Sequence, residues 1–343
     1  MSETALNSYQ LTETISENVN GLRQVRDEIA KVIVGQEGVV ELTLIALLCE
    51  GHVLLEGVPG LGKTLLVKTL AETLDLKFSR IQFTPDLMPA DIIGTSMVIQ
   101  DQSENFNLRF EPGPVFANLV LGDEINRASP KTQSALLEAM QERSVTIRGE
   151  RHELPRPFLV LATQNPLEME GTYPLPEAQI DRFFFKVLIN QPSESELETI
   201  IERTVGVNKP EVGVILEASK LKMMQMAVRE VVVPSHVTNY AARLIMATQP
   251  DREGALPRIR QFVKYGAGPR GAQSLILAAK ARALMAGRFN VSLDDLKKLA
   301  QPSLRHRIAL NFDGYSEGIK IDDILNEIIA GLPTDKTRPE EIC

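Results

Sequence analysis

Five short, largely apolar runs punctuate the first half of the chain, at Val53–Glu56, Phe78–Phe83, Leu119–Asp123, Phe158–Ala162 and Phe183–Leu188. Stretches with helical spacing lie between several of them, Leu65–Leu74 and Pro130–Glu142 most clearly. Short apolar strands separated by amphipathic helices imply a parallel sheet buried on both faces, so the expected fold class is α/β. Two places interrupt the alternation. Met97–Gln100 and Leu108–Phe110 flank the polar turn Asp101–Asn107, while Val145–Ile147 and Arg151–Leu154 flank Arg148-Gly149-Glu150. Both predict β-hairpins inserted into the core.

Beyond Leu188 the strand pattern largely stops. Ser193 and Glu196 make a capping box that opens a helix, and helical periodicity recurs over Leu216–Val228, Ser235–Thr248, Gln273–Ala286 and Ser292–Leu299. Ahead of the first strand, residues 1–34 predict an N-terminal helical segment. Ile33-Val34-Gly35-Gln36 breaks it before a second helix over Glu37–Cys49. The division expected from this pattern is a helical segment 1–34, an α/β core 35–190, a smaller all-helical domain 191–333 and a disordered polar tail 334–343.

Chemistry enters at the end of the first strand. Gly57-Val58-Pro59-Gly60-Leu61-Gly62-Lys63-Thr64 is a complete G-x-x-x-x-G-K-[ST] phosphate-binding loop, followed directly by the helix-like stretch from Leu65. Its setting between strand and helix is what makes the motif specific. Glycines let consecutive N–H groups point at phosphates, and the helix start adds its positive dipole end. Lys63 would reach the β- and γ-phosphates and the Thr64 hydroxyl would sit on Mg²⁺.

The run Leu119–Asp123 delivers two carboxylates, Asp123 and Glu124, to the carboxyl end of its strand, where open α/β sheets bind ligands. Asp123 can hold Mg²⁺ through water and Glu124 can polarise an attacking water. A motor-type ATPase needs that second acid; a kinase or G protein does not. Guanine specificity would call for Asn-Lys-x-Asp, and Asn208-Lys209-Pro210-Glu211 lacks the Asp. Asn165 follows the next strand and can either meet a γ-phosphate or stabilise its own turn before Pro166. Arg182 precedes the last strand beside Asp181, a possible surface pair. Arg270, at a helix start in the second domain, is equally ambiguous on local chemistry alone.

Composition narrows the class. The 343 residues carry 45 acids against 37 bases, a net charge of −8, with no run of Lys or Arg. Nucleic-acid binding normally leaves a basic face, so the balance favours protein partners and makes nucleic acid an unexpected ligand. Two cysteines and four scattered histidines form no zinc or disulfide pattern. No signal-like N-terminus and no membrane-length apolar run is present, so a cytoplasmic location is expected.

Together these residues resemble the MoxR branch of the AAA+ ATPases over residues 20 to 333. The phrases that carry the resemblance are Gln82–Asp91, Asp123–Ala128, Leu175–Phe183 and Leu304–Ile308, alongside the phosphate loop. The resemblance implies Walker A at 57–64, Walker B at 119–124, Asn165 as sensor 1, Arg182 as finger and Arg270 as sensor 2, these last three joining Glu124 as catalytic residues. It implies a nucleotide set of residues 57–65 with Asp123 and Gln36, and metal ligands Thr64 and Asp123. The hairpins become the helix-2 insert and the pre-sensor-1 hairpin, and the second domain the lid. The family implies ATP and Mg²⁺, a ring (usually a hexamer) that remodels protein complexes, and a partner with a von Willebrand factor A domain. No Asp-x-Ser-x-Ser metal site of such a domain lies in this chain. Three other classes share parts of this pattern. A motor of a magnesium-chelatase-like complex is close in fold. A DNA translocase would want basic hairpin tips, whereas Asp101 and Glu104 sit at the first turn. A sigma-factor activator would need a Gly-Ala-Phe-Thr-Gly-Ala loop, which the sequence lacks.

Overall fold

Five parallel strands carry the first unit: β1 (Val53–Glu56), β2 (Phe78–Gln82), β5 (Leu119–Asp123), β8 (Leu159–Gln164) and β9 (Phe185–Leu188), in the spatial order β2-β5-β8-β1-β9. These are the five runs expected from sequence, shifted at their ends by at most two residues. The computed structural model describes residues 19–100, 106–165, 171–206 and 210–334. A helix over 19–30, α1, precedes α2 (Glu37–Leu48); α3 (Lys63–Thr73) packs on β2 and β5, and α2 on β9. The short α4 (Pro89–Ile93) touches α5 (Pro130–Glu142). Ser129 caps α5 by accepting the Thr132 N–H, and Pro130 takes the first-turn place where a missing N–H is harmless.

Side chains from both layers close over the sheet. Phe83, Val120, Leu136, Val160 and Phe183 are all fully buried, each contributing roughly 1.5–3 kcal/mol of apolar burial. The inserted elements are antiparallel hairpins: β3 (Gly94–Gln100) with β4 (Phe106–Pro112), and β6 (Ser144–Ile147) with β7 (Glu150–Glu153). The first is longer than expected, because Phe106 pairs with Gln100 as strand instead of standing in the turn. Residues 101–105 of that turn lie outside the described residues, as do residues 1–18 of the N-terminal segment and 335–343 of the tail. The Phe110 ring stacks on His152 of the second hairpin with centroids 4.1 Å apart and meets Phe116 edge-on at 5.5 Å.

Two compact units divide between Gln225 and Met226, later than the boundary expected near Asn190. The reason is a set of bonds that tie 191–225 to the core. Arg203, on α7 (Glu194–Val205), donates to the carbonyls of Ala30 and Lys31 at 2.8 and 2.7 Å. The Ile215 N–H reaches Thr73 O at 2.9 Å, and Gln225, within α8 (Ala218–Glu230), donates to Leu47 O at 2.8 Å.

The second unit is built from α9 (Ser235–Ala247), α10 (Pro257–Phe262), α11 (Pro269–Met285), α12 (Leu293–Leu304), α13 (Phe312–Ser316) and α14 (Ile321–Gly331). It also contains a ribbon of β10 (Val263–Tyr265) and β11 (Ala309–Leu310), which the helical pattern did not announce. At its centre Asp295 is fully buried, bonded to Arg282, to both terminal nitrogens of Arg288 and to Ser292. Burial pushes its carboxyl up, but the bonds from Arg288, Ser292 and Arg282 outweigh that and hold it at about 2. Among the described residues no helix is long and apolar enough to cross a membrane.

Candidate nucleotide site

The loop leaves β1 at Glu56 and enters α3 at Lys63. Gly60 and Gly62 have φ of +85° and +73°, left-handed values that favour glycine. Gly57 is small for another reason: a Cβ there would lie 2.9 Å from the Ile189 carbonyl oxygen. Lys63 Nζ donates back across the loop to Gly57 O at 2.5 Å. Burial lowers the Lys63 pKa, while Asp123, Glu124 and Glu56 oppose that shift by attraction. Three carboxylates thus surround the one lysine that the motif supplies.

Asp123 and Glu124 stand at the same edge of the sheet, with only β8 between their strand and β1. Each Asp123 oxygen is engaged: Arg80 donates to Oδ2 at 2.6 Å and the Thr163 hydroxyl to Oδ1 at 2.8 Å. Glu124 is left-handed at φ 57°, ψ 51°, which turns the chain sharply out of the sheet. Its Oε2 accepts from Gln82 at 3.1 Å and Arg127 at 3.0 Å. Gln133, fully buried, donates to the carbonyls of Ile125 and Ala128 and so pins the segment that follows the acids.

Beside the loop opens a cavity of about 200 Å³ lined by Val32, Ile33, Gln36, Leu61, Leu197 and Ile200 among others. Leu65 also lines it. Gln36 donates through Nε2 to Leu61 O at 2.8 Å, while its Oε1 is buried with no partner. A buried acceptor left open is costly unless something fills it, so the loop side of this cavity suits a ligand that donates.

The remaining predicted residues fall in different places. Asn165 directly follows β8 and is buried at 7% exposure, on the carboxyl edge with the loop and the acids. Arg182 is exposed at the opposite edge, between α6 (Glu177–Ile180) and β9, its Nη1 3.5 Å from Leu137 O. Arg270 is exposed in the first turn of α11, in the second unit. Within the first unit the structure therefore gathers Gln36, the loop, Asp123, Glu124 and Asn165, and leaves Arg182 at the other end of the strands, while Arg270 belongs to the second unit.

Sequence reading missed Arg80, Gln82, Arg127 and Thr163 around the acids, and Val32, Ile33, Leu197 and Ile200 in the cavity wall. One signal was available: Phe78-Ser79-Arg80-Ile81-Gln82 places polar side chains on a strand beside an acidic strand end. The wall residues come from segments far apart in the chain and read as ordinary helix positions.

Family models for the "ATPase family associated with various cellular activities (AAA)" and for the "AAA lid domain" match residues 52–185 and 256–328. Chaperone MoxR1 of Mycobacterium tuberculosis is 43% identical over 96% of this chain and 87% of its own length. The uncharacterized protein YeaC of Bacillus subtilis is 41% identical over 89% and 92%, and protein MoxR of Paracoccus denitrificans 32% over 82% and 86%. A crystal structure of a candidate ATPase from Cytophaga hutchinsonii superposes with a TM-score of 0.88 at 41% identity, covering 96% of this chain and 98% of that one.

Proposed function

The chain belongs to the MoxR family of AAA+ ATPases and hydrolyses ATP in a chaperone-like role, and from that premise we propose a Mg²⁺-dependent ring motor that remodels or activates partner proteins. The observation that carries the reading is the meeting of the phosphate loop with the Asp123–Glu124 pair at one sheet edge. The loop N–H groups, the start of α3 and Lys63 bind the phosphates. Thr64 and Asp123 fit Mg²⁺, which takes one or two protein oxygens alongside phosphates and water. The ion, when bound, neutralises charge on the phosphates and orients them. Glu124 takes the proton of the attacking water, and Asn165 orients that water or the γ-phosphate as a neutral amide.

Base choice falls to the cavity. The open Oε1 of Gln36 accepts from the exocyclic amine of adenine, a donor that guanine replaces with a carbonyl at the same position. Val58, Pro59, Leu61 and Leu65 complete the loop's contacts with the nucleotide.

Arg182, on the edge away from its own loop, serves the next subunit of a hexameric ring, as a head-to-tail contact requires. Arg270 takes the sensor 2 role that the family resemblance implies. Protein clients are the substrates of the motor, with a von Willebrand factor A domain protein as partner and the cytoplasm as the compartment. The chaperone named among the relatives favours protein clients over metal insertion or DNA translocation. By role we divide the chain into the 1–34 segment, the 35–190 core, the 191–333 lid and the 334–343 tail, with 191–225 packing with the core in one compact unit.

Two variants separate the steps. Lys63→Ala weakens nucleotide binding about 10- to 100-fold, the worth of a charge-assisted contact. Glu124→Gln still binds ATP and accumulates as the loaded state without turning it over. Full turnover by Glu124→Gln would remove it from the role of base.

A further inference from the structure

The two acids share one buried hydroxyl. Thr163 lies on β8 directly across from Asp123, one step past the last paired residues, Gly122 and Ala162. At that step β5 parts from β8, while Asp123 stays paired with Gln82 of β2, and the next residue, Glu124, adopts its left-handed conformation. The Thr163 hydroxyl takes over. It accepts the Glu124 N–H at 2.8 Å and donates to Asp123 Oδ1 at 2.8 Å, and the residue is 1% exposed. A hydroxyl is the smallest group that can do both at once, since it has one donor and two acceptor sites. Its χ1 is held by β-branching, so its direction is set by the strand.

We propose that Thr163 is the positioning residue of the acid pair, locking the magnesium-side carboxylate of Asp123 and the backbone of Glu124 into one fixed geometry. The inference rests on the reading of Asp123 and Glu124 given above. Thr163 does not touch nucleotide; it acts through the two acids. Arg80, Gln82 and Arg127 hold side-chain oxygens from exposed positions, whereas Thr163 alone among the described contacts grips both acids and does so from the core. Loss of the hydroxyl frees the Glu124 N–H and lets the turn relax, which moves the base relative to the bound phosphates. The loop and the cavity, which set affinity, stay as they were.

The test compares wild type, Thr163→Val, Thr163→Ser and Glu124→Gln in the full chain, measuring kcat, KM and the dissociation constant of a fluorescent ATP analogue. Thr163→Val keeps the volume and removes the hydroxyl. It lowers kcat about 100-fold, the loss expected of a misplacement near 1 Å, with analogue affinity within about threefold of wild type. Thr163→Ser restores the hydroxyl and recovers kcat to within about fivefold, its looser χ1 accounting for the remainder. If Thr163→Val does not yield folded protein, Thr163→Ala, which loses the hydroxyl without adding a methyl in its place, is scored on the same two quantities. A Thr163→Val kcat within threefold of wild type, with Glu124→Gln inactive, overturns the inference and leaves the assignment of the acids standing. A Thr163→Ser variant as slow as Thr163→Val, or analogue affinity falling in step with kcat, also overturns it. Full turnover by Glu124→Gln instead overturns the assignment itself.

Discussion

Removing Arg182 tests whether the active site is completed by a second copy of the chain. Phe185 is level with Val53 at the start of β1, and Arg182 precedes it, whereas the phosphate loop begins after Glu56 at the other end of the strand. Four residues of strand at about 3.3 Å each put roughly 13 Å of sheet between the two ends. An extended arginine side chain spans roughly two residues of chain, so it cannot close that gap within one subunit. An arginine delivered to the γ-phosphate is worth about 10³- to 10⁵-fold in rate, or roughly 4–7 kcal/mol of barrier. Arg182→Ala should therefore bind ATP normally and hydrolyse it at least a thousandfold more slowly. The discriminating assay mixes Arg182→Ala with Lys63→Ala. In a randomly mixed ring, about half of the subunits bind ATP well and about half of those meet an intact arginine, so roughly a quarter of wild-type activity returns. Activity of the mixture equal to the average of the separate variants, under conditions where mixed rings are shown to form, would refute the shared site.

Three further outcomes are expected. Gln36→Leu should weaken ATP about 2- to 10-fold, the worth of a neutral hydrogen bond, and narrow the preference for ATP over GTP in competition; an unchanged preference would clear Gln36 of base reading. Asp295→Asn should destabilise the second unit by about 3–5 kcal/mol, since it leaves Arg282 and Arg288 facing a neutral amide in a buried site. The wild-type carboxyl lies at about 2 when folded, below its ordinary 3.8, so its contribution of roughly 2.5 kcal/mol is present above pH 4 and lost as pH falls toward 2. Thermal melts of both proteins across that window should converge, and a constant gap would refute the assignment. Val98→Ser with Leu108→Ser should leave melting temperature and basal ATPase nearly unchanged while reducing stimulation by a protein partner, because this cross-strand pair is 64% and 61% exposed. A large fall in melting temperature would show that the pair supports the fold instead.

The parts legible in the sequence were those where one local rule decides the answer. Val53–Glu56 and Leu119–Asp123 appear with the expected bounds because each is a short apolar run, of strand length, that breaks into a glycine- or acid-bearing turn. Pro130–Glu142 is equally well bounded, by a Ser cap and a first-turn proline at its start. Legibility ended where partners come from distant segments. Thr163 lies just past the run Phe158–Ala162 and carries no motif of its own; only the sheet order puts it across from Asp123. The cavity wall combines Val32 with Ile200, which no periodicity could pair. The division at Gln225 likewise depends on bonds such as Arg203 to Ala30 that span most of the unit. The ribbon of β10 and β11 was missed because three- and two-residue strands lie below any repeat that sequence can display.

The ring contact between Phe110 and His152 bears on how this architecture can be altered. The two hairpins enter the chain at separate points, and a comparison of sequences would treat them as separate insertions. In space they share a face, so trimming or exchanging one strips an aromatic cover from the other. A chimera that imports one hairpin from a relative therefore carries a mismatch that neither parent has, while transplanting both together keeps the contact. The grafting unit is the pair.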